Sequence, residues 1–246
     1  MVAARLGIAM FVLQAAIGTA NDLIDEPVDA IHKTAKPLPR GLISRAAARL
    51  LLGAALVMGL GLSALSGPAV FAVALVGTGI GLAYDRWLKS TVWSWLPFAL
   101  GIPLLPVYAW MGAAGRIPGS FVVLIPAAMV AGAALALANL LADLERDRAA
   151  GAVTAATRLG AGRAWLICAT LHAIVLAVAL GSLVALQGRG GGVLAAAAGG
   201  IVMAAGLAIG RSGRPAHREV AWETQAVGLG LLAAGWVAAL AEVGRL

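Results

Sequence analysis

Residues 120–141, SFVVLIPAAMVAGAALALANLL, carry no charged side chain and then run straight into ADLERD at 142–147. An uncharged stretch of this kind meets the requirement of roughly 20 apolar residues for an α-helix that crosses a bilayer. Its apolar residues do not alternate with polar ones, so a membrane-spanning β-barrel is excluded. The sudden density of charge at its end marks the point where the helix meets water.

The same reading extends outward along the chain. Spans are expected at 2–20, 42–65, 68–84, 92–111, 120–141, 164–186, 191–210 and 226–243. Ser66, Gly67 and Pro68 form the turn between the second and third. The fourth holds Pro97, Pro103 and Pro106, each lacking the N–H that a helix interior needs, so it is expected to kink or unwind. Composition agrees: 61% of the 246 residues are hydrophobic, mean hydropathy is +0.94, and 12% are charged. A soluble domain carries about 25% charged residues. The expectation is an all-α polytopic transmembrane helix bundle of about eight spans, in two pseudo-repeated four-helix halves, forming a single domain over residues 1–246.

Eight spans sort the loops onto two sides. Of the 18 Lys and Arg, all but Arg5, Arg116, Arg189 and Arg245 fall on one side, which the positive-inside rule makes cytoplasmic. The 11 acids follow, except Glu242. Acids do not set topology, so their placement needs another cause. Residues 1–20 also resemble a signal peptide, with Arg5, an apolar run, and Gly18 and Ala20 at cleavage spacing. Lys33, Lys36 and Arg40 follow at once and oppose translocation, so the segment is read as a retained span.

Two acidic segments explain the acids. Residues 21–29 read NDLIDEPVD and residues 139–147 read NLLADLERD. Asn21, Asp25 and Asp29 stand in register with Asn139, Asp143 and Asp147, each segment ending the first span of its half. Spacing of i, i+4 and i+8 keeps side chains near one helix face. Asn139, Asp143 and Asp147 are therefore expected to share one cavity. Pro27 cannot donate to the carbonyl of Leu23, which suggests that Asp29 sits on a loop. Mg²⁺ takes hard oxygen ligands and commonly joins one or two carboxylates to substrate phosphates. Two facing carboxylate clusters could hold two such ions around a diphosphate and offset the charge developing on departing pyrophosphate.

At these residues the sequence resembles the UbiA family of intramembrane prenyltransferases. The first signature reads NDLIDEPVDAIHKTAKPLPRG at 21–41, the second DLERDRAAGAVT at 143–154, and a third element YDRWLK at 84–89. The resemblance implies Mg²⁺ as cofactor, with Asn21, Asp25, Asp143 and Asp147 as ligands. Asp22, Asp29 and Asn139 are implied as supporting members. Lys89 matches the diphosphate-binding lysine and joins Asp25, Asp143 and Asp147 in the catalytic set. Lys33, Lys36, Arg40, Tyr84 and Arg158 are expected to contact substrate. The implied reaction moves a prenyl group from an isoprenoid diphosphate donor to a lipophilic or aromatic acceptor, through an allylic carbocation shielded from water. The family has nine helices, with its first acidic motif ending the second. Here that motif ends the first span, so an N-terminal helix is expected to be missing. The implied setting is the cell membrane, with lipid around the chain, acidic motifs on the cytoplasmic side, and no nucleic acid.

Other features carry less. Cys168 and His172 lie at i, i+4, but Zn²⁺ wants three or four protein groups, so packing is expected. His32 and His217 are read as loop residues. Trp87, Trp93, Trp95, Trp110, Trp165 and Trp222 lie near span ends, where amphipathic rings settle at the interface. GRGGGV near residue 190 is no nucleotide loop, because no strand precedes it. Two rival functions were weighed. A CDP-alcohol phosphotransferase needs one continuous block of D-G, A-R and G before D-x-x-x-D, which is absent. A cation transporter would hold its acids near the bilayer midplane, whereas these lie at span ends.

Overall fold

The computed structural model describes residues 1–246, the side chain of His32 excepted. The described residues form α1 (Val2–His32), α2 (Arg45–Ala64), α3 (Pro68–Ala83), a π-helical turn (Tyr84–Leu88), α4 (Leu96–Gly101) and α5 (Leu104–Ala114). There follow α6 (Phe121–Ala142), α7 (Leu144–Ala149), α8 (Ala155–Leu159), α9 (Ala161–Ala185), α10 (Gly191–Gly210) and α11 (Pro215–Glu242). Among the described residues no strand occurs, and eight helical segments are long and apolar enough to cross a membrane. In hydrocarbon every backbone N–H and C=O must be paired internally, and a helix does this within its own segment.

Two span boundaries need correction, and with them the loop readings of Asp29 and His217. The first helix does not stop near residue 20 but runs to His32, so Asp29 lies on a helix and not on a loop. Pro27 removes one donor without ending the helix, since Lys33 N still caps Asp29 O. The last span begins at Pro215, eleven residues before the apolar run expected at 226, and it carries His217 within the helix. The fourth span is broken as its prolines dictate, into α4 and α5, with the gap at Ile102 and Pro103.

The chain resolves into two compact units, Met1–Lys89 with Leu104–Ile117, and Ser90–Pro103 with Pro118–Leu246. The division runs through the broken fourth span, with α4 in the second unit and α5 in the first.

In the first unit Leu6, Ala9 and Leu13 of α1 pack with Val70, Ala74 and Tyr108. Ser63 donates to Gly59 O at 2.8 Å, so at its 2.9 Å contact with Tyr108 the phenol is the donor. Both side chains are buried, and each has a partner. This satisfies two hydroxyls that hydrocarbon would otherwise strand.

In the second unit α10 and α11 approach through glycine. A Cβ on Gly199 would sit 2.2 Å from Leu232 N, and one on Gly235 2.2 Å from Ala196 N. Small residues let membrane helices gain contact where burial from water offers no drive. Gly132 of α6 does the same for α4: a Cβ there would meet Phe98 O at 2.2 Å. Because the obstacle is backbone, it cannot rotate away. Gly132→Ala is expected to lower stability by about 1–3 kcal/mol, read as a fall in the unfolding midpoint in detergent. Gly7→Ala, which meets nothing within 4 Å, is the control and should leave the midpoint unchanged or raised.

Candidate functional site

Each unit carries one acidic cluster, built differently. In the first unit, α1 displays two faces. Asn21 and Asp25, one turn apart, both accept from the Lys89 ammonium, at 3.2 Å for Asn21 Oδ1 and through a direct ion pair at Asp25 Oδ1. Asp22 and Asp29, two turns apart, both accept from Lys36 Nζ, at 2.7 and 2.6 Å. At about 100° per residue, the step from Asp22 to Asp29 drifts by only about 20°, whereas that from Asn21 to Asp29 drifts by about 80°. Asp29 thus joins Asp22 on one face of α1, while Asn21 and Asp25 share the other. Glu26 pairs with Arg45.

Lys89 reaches α1 from the π-helical turn Tyr84–Leu88, whose widened geometry is shown by Lys89 N donating to Tyr84 O at 3.0 Å. Such turns are frequent at functional positions. Asp85, in the same turn, is 5% exposed, and its Oδ2 has no hydrogen-bond partner among the described residues. It is a residue that sequence reasoning passed over, although it stands inside YDRWLK. Lys33 and Arg40 are exposed and form no ion pair among the described residues.

In the second unit the segment is not one continuous helix. α6 ends at Ala142, and Asp143 takes φ −90°, ψ 1° before α7 starts at Leu144. The i→i+4 bonds persist on both sides, Asp143 N to Asn139 O at 3.1 Å and Asp147 N to Asp143 O at 2.9 Å. Asp143 is paired with Arg146 at 2.9 Å. Asp147 Oδ2 accepts from Thr154 Oγ1 at 3.3 Å. Thr154 is buried and also caps α8, accepting from Thr157 N at 3.3 Å. Glu145, between the two aspartates, pairs at 2.6 Å with Arg218 of α11, which is 8% exposed. Neither Glu145 nor Arg218 was singled out in the sequence, since a partner 73 positions away leaves no local signal. Arg158 is exposed, on α8.

Burial raises the Asp147 pKa above the usual carboxylate value, and the charge of Asp143 adds to this; Thr154 and Arg146 oppose it. Burial by itself would lower the Lys36 pKa, but its bonds and charges with Asp22 and Asp29 outweigh this and the net shift is upward.

The donor set suits Mg²⁺. Amide and carboxylate oxygens of Asn21 and Asp25 already converge on one compact cation, the Lys89 ammonium. Among the described residues, however, no three Asp, Glu, His or Cys side chains gather into a metal-binding group. That is consistent with a metal that takes one or two carboxylates and fills its sphere with water and phosphate.

Cys168 and His172 are packed, as expected. Cys168 Sγ donates to Ala134 O at 3.4 Å, and His172 Nδ1 lies 2.9 Å from Cys168 O. Trp165 lies near the start of α9, where its indole N–H donates to Leu207 O at 3.1 Å and Arg211 lies over its ring. His217 lies 2.9 Å from Ser212 Oγ, while the His32 side chain is outside the described residues.

Fold and clusters together define a polytopic helical membrane protein with aspartate groups at its span ends. The chain belongs to the UbiA prenyltransferase family, whose model matches residues 2–227. It is 32% identical over 161 residues to a chloroplastic chlorophyll synthase of Oryza sativa subsp. japonica, covering 61% of this chain and 43% of that protein. It is 30% identical over 176 residues to a digeranylgeranylglyceryl phosphate synthase of Methanoregula boonei, covering 68% of this chain and 61% of that protein. The chain thus spans about half the length of these relatives. In fold it is similar to a UbiA homolog from Archaeoglobus fulgidus solved bound to GPP and Mg²⁺, with a TM-score of 0.67 and 20% identity over 98% of this chain and 88% of that one. The family match leaves the CDP-alcohol phosphotransferase and transporter readings without support.

The Asp147 shift gives a signed expectation. A carboxyl whose folded pKa is raised binds its proton more tightly when folded, so stability falls as pH rises from the ordinary carboxylate value through the raised one. Without Mg²⁺, Asp147→Asn should be more stable than the unaltered chain at neutral pH, seen as a higher Tm. The gap should close as pH falls below the ordinary carboxylate range. Detergent melts across pH would show this, and a variant less stable at neutral pH would contradict it.

Proposed function

We propose that this chain is a Mg²⁺-dependent prenyltransferase, moving a prenyl group from an isoprenoid diphosphate to a lipophilic or aromatic acceptor within the membrane. Family membership supports the class of reaction. The carrying observation is the convergence of Asn21 and Asp25 oxygens on the Lys89 ammonium, a cation site beside a lysine able to pair with a diphosphate. The homolog bound to GPP and Mg²⁺ supports the donor and metal assigned here. The relatives named for chlorophyll and for digeranylgeranylglyceryl phosphate support a lipophilic acceptor without choosing among acceptors.

In this reading Asn21 and Asp25 hold one Mg²⁺, and Asp143 and Asp147 hold another. Asp22, Asp29 and Asn139 act as supporting groups. Mg²⁺ supplies charge stabilisation at the diphosphate oxygens. The residues do the rest. Lys89 moves its charge from Asp25 toward the diphosphate, a point-charge role that suits lysine. Exposed Lys33, Arg40 and Arg158 attract the anion, while Lys36 keeps Asp22 and Asp29 in place. The carbon–oxygen bond breaks with its electron pair leaving on pyrophosphate. The acceptor nucleophile then bonds to the allylic carbon and releases a proton. Tyr84 is assigned to the substrate side of the Lys89 turn.

The two units operate in this proposal as one catalytic domain over residues 1–246. The acidic motifs face the cytoplasm, a placement supported by the Lys and Arg distribution and the positive-inside rule. The test is prenyl transfer from geranylgeranyl diphosphate in membranes, followed as pyrophosphate release across a panel of lipid and aromatic acceptors. Asp25→Ala and Asp143→Ala are each expected to lower the rate at least about 100-fold, the scale of removing one preorganised electrostatic stabiliser. Full activity in either variant would end the proposal.

A further inference from the structure

The second unit contains a cavity of about 220 Å³ that the acidic clusters do not use. At about 30 Å³ per water it could hold several waters, or one small polar headgroup. Trp165 and Cys168 of α9, Arg211 after α10, and Arg218 and Gln225 of α11 line it. We infer that this cavity is a binding site for a phosphate-ester anion, carried either on a lipid headgroup or on a small soluble molecule.

The cavity offers donors with almost nothing to receive them. Gln225 is 4% exposed; its Oε1 shares the single Cys168 S–H with Ala134 O, each 3.4 Å from Sγ, and its Nε2 makes no hydrogen bond among the described residues. Arg218 is 8% exposed and directs Nη1 to Glu145 Oε1 at 2.6 Å and Nη2 to Gly213 O at 2.9 Å. A guanidinium has five N–H groups, so donors remain on it beyond these two bonds. These remaining donors open onto the cavity, where an acceptor-rich ligand can take the place of water.

Charge points the same way. Glu145 neutralises Arg218, but Arg211 has no carboxylate partner among the described residues and lies 5.9 Å above the Trp165 ring. The surplus in the cavity is therefore one positive charge. Phosphate accepts from several directions at once, which suits one arginine at the end of α10 with a second arginine and an amide two turns apart on α11. The Trp165 face adds an apolar wall for the glycerol or chain beside the phosphate. Arg211 and Gly213 follow directly on the end of α10, at the depth where basic pockets between membrane helices meet headgroups. None of this depends on the carboxylates assigned above.

The test uses the full chain in neutral detergent with EDTA present. Dioctanoyl phosphatidylglycerol, glycerol 1-phosphate, inorganic phosphate and dioctanoylglycerol are titrated, with tryptophan fluorescence and native mass spectrometry as readouts. Binding of phosphatidylglycerol alone identifies a lipid headgroup, and equal binding of glycerol 1-phosphate or phosphate identifies a soluble ligand; either supports the site. Arg211→Gln is expected to raise the Kd at least tenfold. Gln225→Leu should do the same by removing the amide that faces the cavity. Asp25→Ala should bind as the unaltered chain does, which separates this site from the proposed diphosphate site. The inference is overturned if no phosphate-bearing probe binds, if dioctanoylglycerol binds equally well, or if both cavity variants keep the original Kd.

Discussion

Hydrocarbon as solvent is the constraint from which the rest of the molecule follows. It forces the backbone into helices, because unpaired N–H and C=O groups have no water to turn to. It also expels charge from the spans, so that carboxylates collect at helix ends. There they would repel one another and resist ionising unless cations stood among them. The chain meets this need internally: Lys89 and Lys36 lie among the acids of α1, and Arg146 and Arg218 among those of α7. Each acidic group is thus partly balanced from within, Asp147 being held by the Thr154 hydroxyl and by no ion pair.

That balance bears on function. An ammonium held by Asn21 and Asp25 occupies the oxygens that the proposed reaction assigns to a divalent ion. Lys89 can yield them only if another anion compensates its own charge. A diphosphate is such an anion, so donor binding and release of these oxygens would be linked. Lys36 is placed otherwise. It bonds Asp22 and a nearly buried Asp29, and losing it would leave a buried carboxylate uncompensated. The two lysines therefore divide the labour, one exchangeable and one structural.

The spans were legible because hydropathy responds to lipid directly and needs no knowledge of packing. The broken fourth span was legible for a similar reason, since Pro97, Pro103 and Pro106 lack a donor wherever they sit. The finer geometry of the acids was not. Asp29 was expected on a loop, but it lies on α1, where accumulated drift sets it beside Asp22 and away from Asn21 and Asp25. The proline at 27 looked like a stop, although one missing hydrogen bond inside a long apolar helix is not enough to end it. The halt of α6 at Asp143 carries no breaker residue, and nothing local announced it.

Pairs distant in sequence were the least readable, and they carry much of the site's order. Glu145 stands between two aspartates, where a third negative charge would weaken any cation site by adding repulsion to the segment unless it had a partner of its own. Arg218 is that partner, buried enough to hold it and drawn from α11. The interaction ties the α7 segment to the cavity wall, because the same guanidinium lines both. An anion in that cavity would compete with Glu145 for Arg218, and so would act on the acidic segment without touching Asp143 or Asp147. Such an effect needs no change of fold, only one guanidinium shared between two anionic partners.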